Sequence, residues 1–212
     1  RHNLEKMIQS QKRQVLSVPA GQKLPLSDEP FTGVILATGA LERVADLSSV
    51  EEYVQQGGTA LLMQRLTDPG SLPLDSLGIA SLGSVTDAGG AHMRTDFLFG
   101  AENFMLSGDN YRTEANASVL LDDARLHMTS ADGQIPLLWE HAAGDGKYVV
   151  YNGMGFDDKM NAGLMTAMLT RTKTDYIYPI AGGLKLFYID DFPAPTPEGD
   201  FAKIYDELHL ST

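Results

Sequence analysis

The chemistry open to this chain is bounded first by what it lacks. No cysteine occurs among its 212 residues, which excludes disulfides, zinc–thiolate centres and every cysteine-nucleophile mechanism. Five histidines, His2, His92, His127, His141 and His209, are scattered along it, and no two have the short spacing that presents paired imidazoles to one metal ion. No G-x-S-x-G elbow is present either, so nothing signals a serine at the apex of a strand–turn–helix. Asp190-Asp191 is an adjacent acidic pair at the end of a strand-like run. Neighbouring carboxylates suit a cation that cancels their repulsion. Successive strand residues point opposite ways, however, so both reach one site only where the strand breaks. Glu140-His141, after Trp139, offers a carboxylate and an imidazole that with a bound metal or water would make a hydrolase site if they converged. Thr38-Gly39 and Asn152-Gly153 end apolar runs and, with His141, are candidate ligand-binding residues at the edge of a sheet. Trp139 with Tyr148 and Tyr151 would stack a sugar or form an aromatic core cluster.

These residues are positioned by elements readable from pattern. Gly33–Ala37 and Thr59–Met63 are unbroken apolar runs, as in strands covered on both faces. Between them Ser48–Gln56 is helical, with Ser48…Glu51 and Ser49…Glu52 each fitting a capping box and Gly57-Gly58 ending it. Residues 33–63 therefore read as strand, helix and parallel strand. Upstream, Asn3–Gln14 is a helix, Val15–Val18 a short strand, and Pro19–Pro30 a loop. Thr67–Gly90 reads as loop with a turn of helix at Leu74–Ile79, while Phe97–Ser107 is apolar without a period. Ala117–Leu121 and Ala124–Thr129 are strand-like, and Ala131-Asp132-Gly133 turns into a strand at Ile135–Trp139. His141–Gly146 reads as a second turn, leading to Lys147–Tyr151. Asn152–Gly155 bends the chain into a helix with Leu164, Met165, Met168 and Leu169 on one face. Asp157-Asp158 fit its positive end. Tyr176–Ile180 and Leu184–Ile189 are further strands, followed by a Pro-stiffened loop and a helical stretch at Ala202–Leu208.

The pattern predicts an α/β fold: a three-layer sandwich whose mainly parallel sheet carries an antiparallel margin. A hydrophobic content of 43% supports one sizeable core. A net charge of −12 argues against a nucleic-acid partner, which would need a basic face to displace counterions. No run of about 18 apolar residues is present, so no segment is expected to contact a membrane by spanning it. The chain opens on Arg1, as a processed protein or a fragment would.

Val50-Glu51-Glu52-Tyr53-Val54-Gln55-Gln56-Gly57-Gly58, with Leu61-Leu62 after it, resembles a step of class I glutamine amidotransferase-like (flavodoxin-like) domains. That group includes trehalose-utilisation-type proteins and β-galactosidase trimerisation domains. Pro136–His141 followed by Gly144–Tyr151 is similar to their late hairpin, and Gly153-Met154-Gly155 to their bend into the last helix. Leu186-Phe187-Tyr188-Ile189-Asp190-Asp191-Phe192-Pro193 resembles the opening strand of NodB-type polysaccharide deacetylases. The order of the two resembles an uncharacterised bacterial envelope family that joins both modules. The resemblance implies an amidotransferase-like domain over 1–185, with an N-terminal helix, strand and loop at 1–30. It also implies a deacetylase-like domain beginning at 186–212 and an extracytoplasmic, envelope-associated parent acting on exopolysaccharide. In that parent Asp190 would be the general base and Asp191 would bind a divalent metal. The segment itself is expected to need no cofactor, because the histidines that complete a deacetylase site are not here. Class I amidotransferases use a cysteine nucleophile, so glutaminase chemistry is closed to this chain. The expected function is accessory and non-catalytic: carbohydrate or small-ligand binding, or scaffolding for the deacetylase-like domain. The alternatives are a hydrolase with its own site at the sheet's carboxyl edge and a homo-oligomerisation module.

Overall fold

The structure is a computed structural model describing residues 2–11, 13–27, 30–154 and 159–172. All of these fall in the first of two units into which the chain divides, Arg1–Ile177. The expected strands at 176–180 and 184–189, the domain break at 185/186, the helix at 202–208, Asp157-Asp158, Asp190 and Asp191 lie outside the described residues.

In chain order the elements are helix α1 (His2–Ser10), strand β1 (Val34–Leu36), helix α2 (Leu47–Gln55) and strand β2 (Thr59–Leu62). Then come strands β3 (Ile79–Ser81), β4 (Val85–Gly89), β5 (Ala91–Met93), β6 (Met105–Leu106), β7 (Arg112–Asn116) and β8 (Val119–Leu120). Strands β9 (Arg125–Thr129), β10 (Pro136–Ala143) and β11 (Gly146–Tyr151) and helix α3 (Lys159–Thr170) complete the series. A seven-stranded sheet runs β1-β2-β11-β10-β9-β5-β6, beside two-stranded pairs β3-β8 and β4-β7. Strands β1, β2 and β11 are parallel, and the pairings from β11 outward to β6 are antiparallel. The parallel core and the antiparallel margin expected from the sequence are thus both present. Among the described residues the margin is the wider part.

Alternation along the central strands builds the layers. Ala60 and Leu62 of β2, with Tyr148 and Val150 of β11, pack under α2 against Leu47, Val50 and Val54. Leu61, Val149 and Tyr151 face the other way, onto Leu164, Met165, Met168 and Leu169 of α3 and Ile8 of α1. Each of these large side chains, buried on one face or the other, contributes about 1.5–3 kcal/mol. Trp139 is 1% exposed and donates from Nε1 to the Leu77 carbonyl at 2.7 Å. The aromatic residues singled out from the sequence are therefore core.

Local readings departed from the structure at several places, among them Thr67–Gly90, read as loop with a turn of helix, which carries β3 and β4. Val15–Val18 forms no strand, because composition alone supplies no neighbour to pair with. Helix α2 starts at an Asp46 N-cap instead of a serine capping box: Asp46 accepts from Ser49 Oγ at 2.6 Å and from the Leu24 amide at 3.0 Å. His141 lies inside β10 and not in a turn, since the β10–β11 hairpin stays paired out to Ala143↔Gly146 and reverses at Gly144, whose φ is +62°.

Candidate functional site

Parallel strands leave backbone groups unpaired at their carboxyl ends, and ligands of α/β proteins usually take up those groups. Here they are taken up by the chain itself. The segment after β2 is knitted to both neighbours: the amides of Thr67 and Asp68 donate to the Gly39 carbonyl at 2.7 and 3.1 Å, and the Arg65 amide donates to the Gly153 carbonyl at 2.8 Å. A Cβ on Gly39 would lie 2.0 Å from the Arg65 carbonyl oxygen, so only glycine permits this approach. Thr38 Oγ1 accepts from the Ala40 amide at 3.1 Å.

Above this rim sits the β4–β7 ribbon, held by Asn152. Its Oδ1 accepts from the Asn116 amide at 3.0 Å, and its Nδ2 donates to the carbonyls of Asn116 and Pro136, both at 2.8 Å. The side-chain amide thus imitates a strand edge, exchanging both of its groups with one residue of β7. Asn116 in turn donates from Nδ2 to the Leu66 carbonyl at 2.6 Å, and both asparagines are 2% exposed. Further along β7, Thr113 Oγ1 accepts from the Met154 amide at 2.7 Å, and Arg65 Nη2 meets Glu114 Oε2 at 3.3 Å. Just before β7, Tyr111 and Tyr151 hydroxyls meet at 2.8 Å. Apart from the Asn152–Pro136 bond, which reaches β10, each of these bonds ties β7 or the residue before it to the residues ending β2 or β11. The carboxyl edge is roofed.

Of the residues proposed from sequence as ligand-binding, Thr38, Gly39, Asn152 and Gly153 are therefore brought to one rim, but their polar groups are occupied in building it. His141 is elsewhere. It pairs with Tyr148 of β11, three residues and about 10 Å below the carboxyl end at Tyr151. Its Nδ1 lies 3.0 Å from the Ser76 carbonyl and its Nε2 3.3 Å from Asp123 Oδ1. Glu140, one residue earlier, projects from the opposite face, as strand neighbours must, and meets Lys147 Nζ at 3.0 Å and Arg125 Nη1 at 3.5 Å. Glu140 and His141 therefore do not converge, and the hydrolase site expected from their adjacency is not formed.

Glu140 belongs instead to a cluster that sequence reasoning missed. His127, 2% exposed, approaches it with Nε2 3.4 Å from Oε1, while Thr95 Oγ1 lies 2.6 Å from Nδ1. The ring also packs on Phe97 at 4.6 Å between centroids. His127, with Lys147 reinforcing it, holds the Glu140 carboxyl down to about 2 against the opposing effect of burial. The imidazole approach is long for a hydrogen bond and Nε2 has no better partner, so the Lys147 contact is the better formed. No signal along the chain joins Thr95, His127 and Glu140; only the β5–β9–β10 pairing does. Among the described residues no group of three or more His, Asp or Glu side chains could hold a metal ion. The ligand set that Asp191 would need is thus not found among the described residues, and no step through a metal follows from them.

A sheet with parallel carboxyl ends between two helical layers, and an antiparallel hairpin leading to the last described helix, defines a three-layer α/β domain. The chain belongs to a family of uncharacterised proteins conserved in bacteria (DUF2194), which it matches over residues 49–212. Among solved structures it is similar to the cytoplasmic protein STM1381 of Salmonella typhimurium LT2, with a TM-score of 0.59 at 12% identity over 81% of this chain and 87% of that one. It is similar also to the cytoplasmic protein STM3548 of Salmonella typhimurium, with a TM-score of 0.59 at 15% identity over 80% and 83%. A putative ThuA-like protein of Parabacteroides merdae aligns at a TM-score of 0.49 and 12% identity, over 82% and 85%. Among curated proteins none matches the chain. At these identities the likeness is one of fold.

Proposed function

We propose that this is an accessory, non-catalytic amidotransferase-like domain of a bacterial cell-envelope protein that processes polysaccharide, where it binds ligand or scaffolds. The observation that supports the non-catalytic part is the roofed carboxyl edge. The Asn152–Asn116 exchange and the Gly39 and Gly153 carbonyl contacts occupy the polar groups from which an oxyanion hole or ligand cradle would be made. A chain without cysteine also has no thiolate to place there. The polysaccharide part rests on Leu186–Pro193, whose likeness to a deacetylase opening strand assigns Asp190 as base and Asp191 as metal ligand in an intact parent outside the cytoplasm. No helix among the described residues is long and apolar enough to cross a membrane.

The test is turnover. Glutamine and 4-nitrophenyl acetate incubated with the chain are expected to hydrolyse at the buffer rate. A catalysed rate abolished by one substitution within 31–154 would remove the proposal. One observation favours a second reading, a hydrolase in its own right: Thr95, His127 and Glu140 place a hydroxyl, an imidazole and a carboxylate in succession. The array lies in the antiparallel margin, where Glu140 pairs with Val149 of β11, with a buried ring and a carboxylate already paired to Lys147. The same assay decides between the readings, since only the second loses activity in His127→Gln.

A further inference from the structure

Roofing the edge moves the accessible surface outward. The outer face of the ribbon, with Met154 beside it, forms an open groove of about 540 Å³ lined by Val85, Thr86, Asp87, Arg112, Thr113, Glu114 and Met154. This lies within the ~300–1,000 Å³ typical of small-molecule sites. Asp87 and Glu114 stand directly opposite each other in the β4–β7 register. Like charges in that position repel, and each is held by a guanidinium: Arg112 Nη1 lies 2.8 Å from Asp87 Oδ2, and Arg65 Nη2 3.3 Å from Glu114 Oε2. The row runs plus, minus, minus, plus. Its sum is zero.

We propose that this groove binds a neutral, polyhydroxylated ligand, a saccharide unit of an uncharged glycan; this deepens the accessory-domain reading and rests on it. A carboxylate has about four acceptor sites and a guanidinium five donors, so a pair using one oxygen and one nitrogen on each other has capacity left on both. A hydroxyl group donates and accepts, and adjacent hydroxyls of a sugar ring satisfy both members of such a pair without separating them. A charged ligand would have to compete with one guanidinium or one carboxylate for its partner, which a row of zero net charge does not favour. Val85 and Met154, 50% and 41% exposed, supply an apolar platform for the C–H face of the ring.

The experiment is amide NMR titration of the full chain with three probes up to millimolar concentration: the tetrasaccharide of N-acetylglucosamine, that of glucosamine, and that of galacturonic acid. The neutral probe is expected to shift residues 85–87, 112–114 and 154 saturably, with affinity unchanged between 50 and 500 mM salt, as about a Debye length of screening leaves uncharged ligands unaffected. Asp87→Ala, at an exposed ribbon position, is expected to weaken binding about tenfold, the loss of a charged hydrogen bond. Arg112→Ala should do the same, and His141→Ala should change nothing. Saturable shifts elsewhere, preference for a charged probe with salt-dependent affinity, or no saturable shift would each overturn the groove assignment. None of these would touch the non-catalytic reading, which fails only on turnover.

Discussion

Replacing Asn152 by alanine tests whether the carboxyl rim is a roof joint or a ligand cradle. The substitution removes an acceptor from the Asn116 amide and a donor from the carbonyls of Asn116 and Pro136, all at 2.8–3.0 Å in a site where both asparagines are 2% exposed. A buried group left unsatisfied costs about 1–3 kcal/mol. Three such groups, with some relief as the ribbon lifts and admits water, give an expected loss of about 3–5 kcal/mol, a large share of the ~5–15 kcal/mol that holds a domain folded. Urea unfolding followed by circular dichroism should show the midpoint falling with little change in slope. Amide exchange at Asn116 should lose its protection at the same time. In Asn152→Asp the donor becomes an oxygen facing two carbonyls, which raises the carboxyl above its unfolded value. That variant is expected to be most stable in acid and to weaken as pH rises through the raised value. A loss below about 1 kcal/mol for the alanine variant, with Asn116 exchange unchanged, would refute the roof-joint reasoning.

Three other outcomes follow from the same contacts. Glu140, held near 2 in the folded state against 4.5 when free, contributes stability that is present above about 4.5 and disappears as pH falls toward about 2. The gap between the wild type and Glu140→Gln in a pH series of urea midpoints should therefore be up to about 3 kcal/mol at neutral pH and close in acid. A gap independent of pH would contradict it. Gly39→Ala places a Cβ 2.0 Å from the backbone oxygen of Arg65, a clash no rotamer relieves, and is expected to lower stability by about 3 kcal/mol in thermal melts. His141→Ala removes a part-buried hydrogen bond to Ser76 and an edge contact with the exposed Asp123 and should cost only about 1–2 kcal/mol while leaving any saccharide titration intact.

The layered core was legible because its strands are apolar runs and its helices carry one-sided patterns. Leu164, Met165, Met168 and Leu169 share the buried face expected of them. The ribbon was not legible. Its strands read VTDAG and RTEAN, in which Val and Thr are outnumbered by Asp, Ala, Gly, Glu and Asn, types of low strand preference, and they pair across more than twenty residues of intervening chain, so neither periodicity nor propensity announces them. Asn152 stood out in the sequence as a polar residue after an apolar strand, which is what a ligand-binding residue also looks like. Its role turns on Asn116, 36 residues away, and no local pattern carries that pairing. The Thr95–His127–Glu140 array was hidden for the same reason, each member coming from a different part of the antiparallel margin. At helix α2 the two serines fitted a motif correctly, but Asp46 upstream is the stronger acceptor and bonds Ser49 itself.

The polar groups at the carboxyl edge of a sheet need partners. In this chain the partners are an asparagine pair, two glycine carbonyls and a tyrosine pair. Once they are satisfied internally, a thiol introduced after β2 would meet no base, because His141 is bonded to Ser76 about 10 Å below the rim and His127 lies buried in the antiparallel margin against Phe97 and Glu140. What remains open to solvent is the ribbon's outer row of paired charges, and recognition of ligand, where it occurs, is expected there.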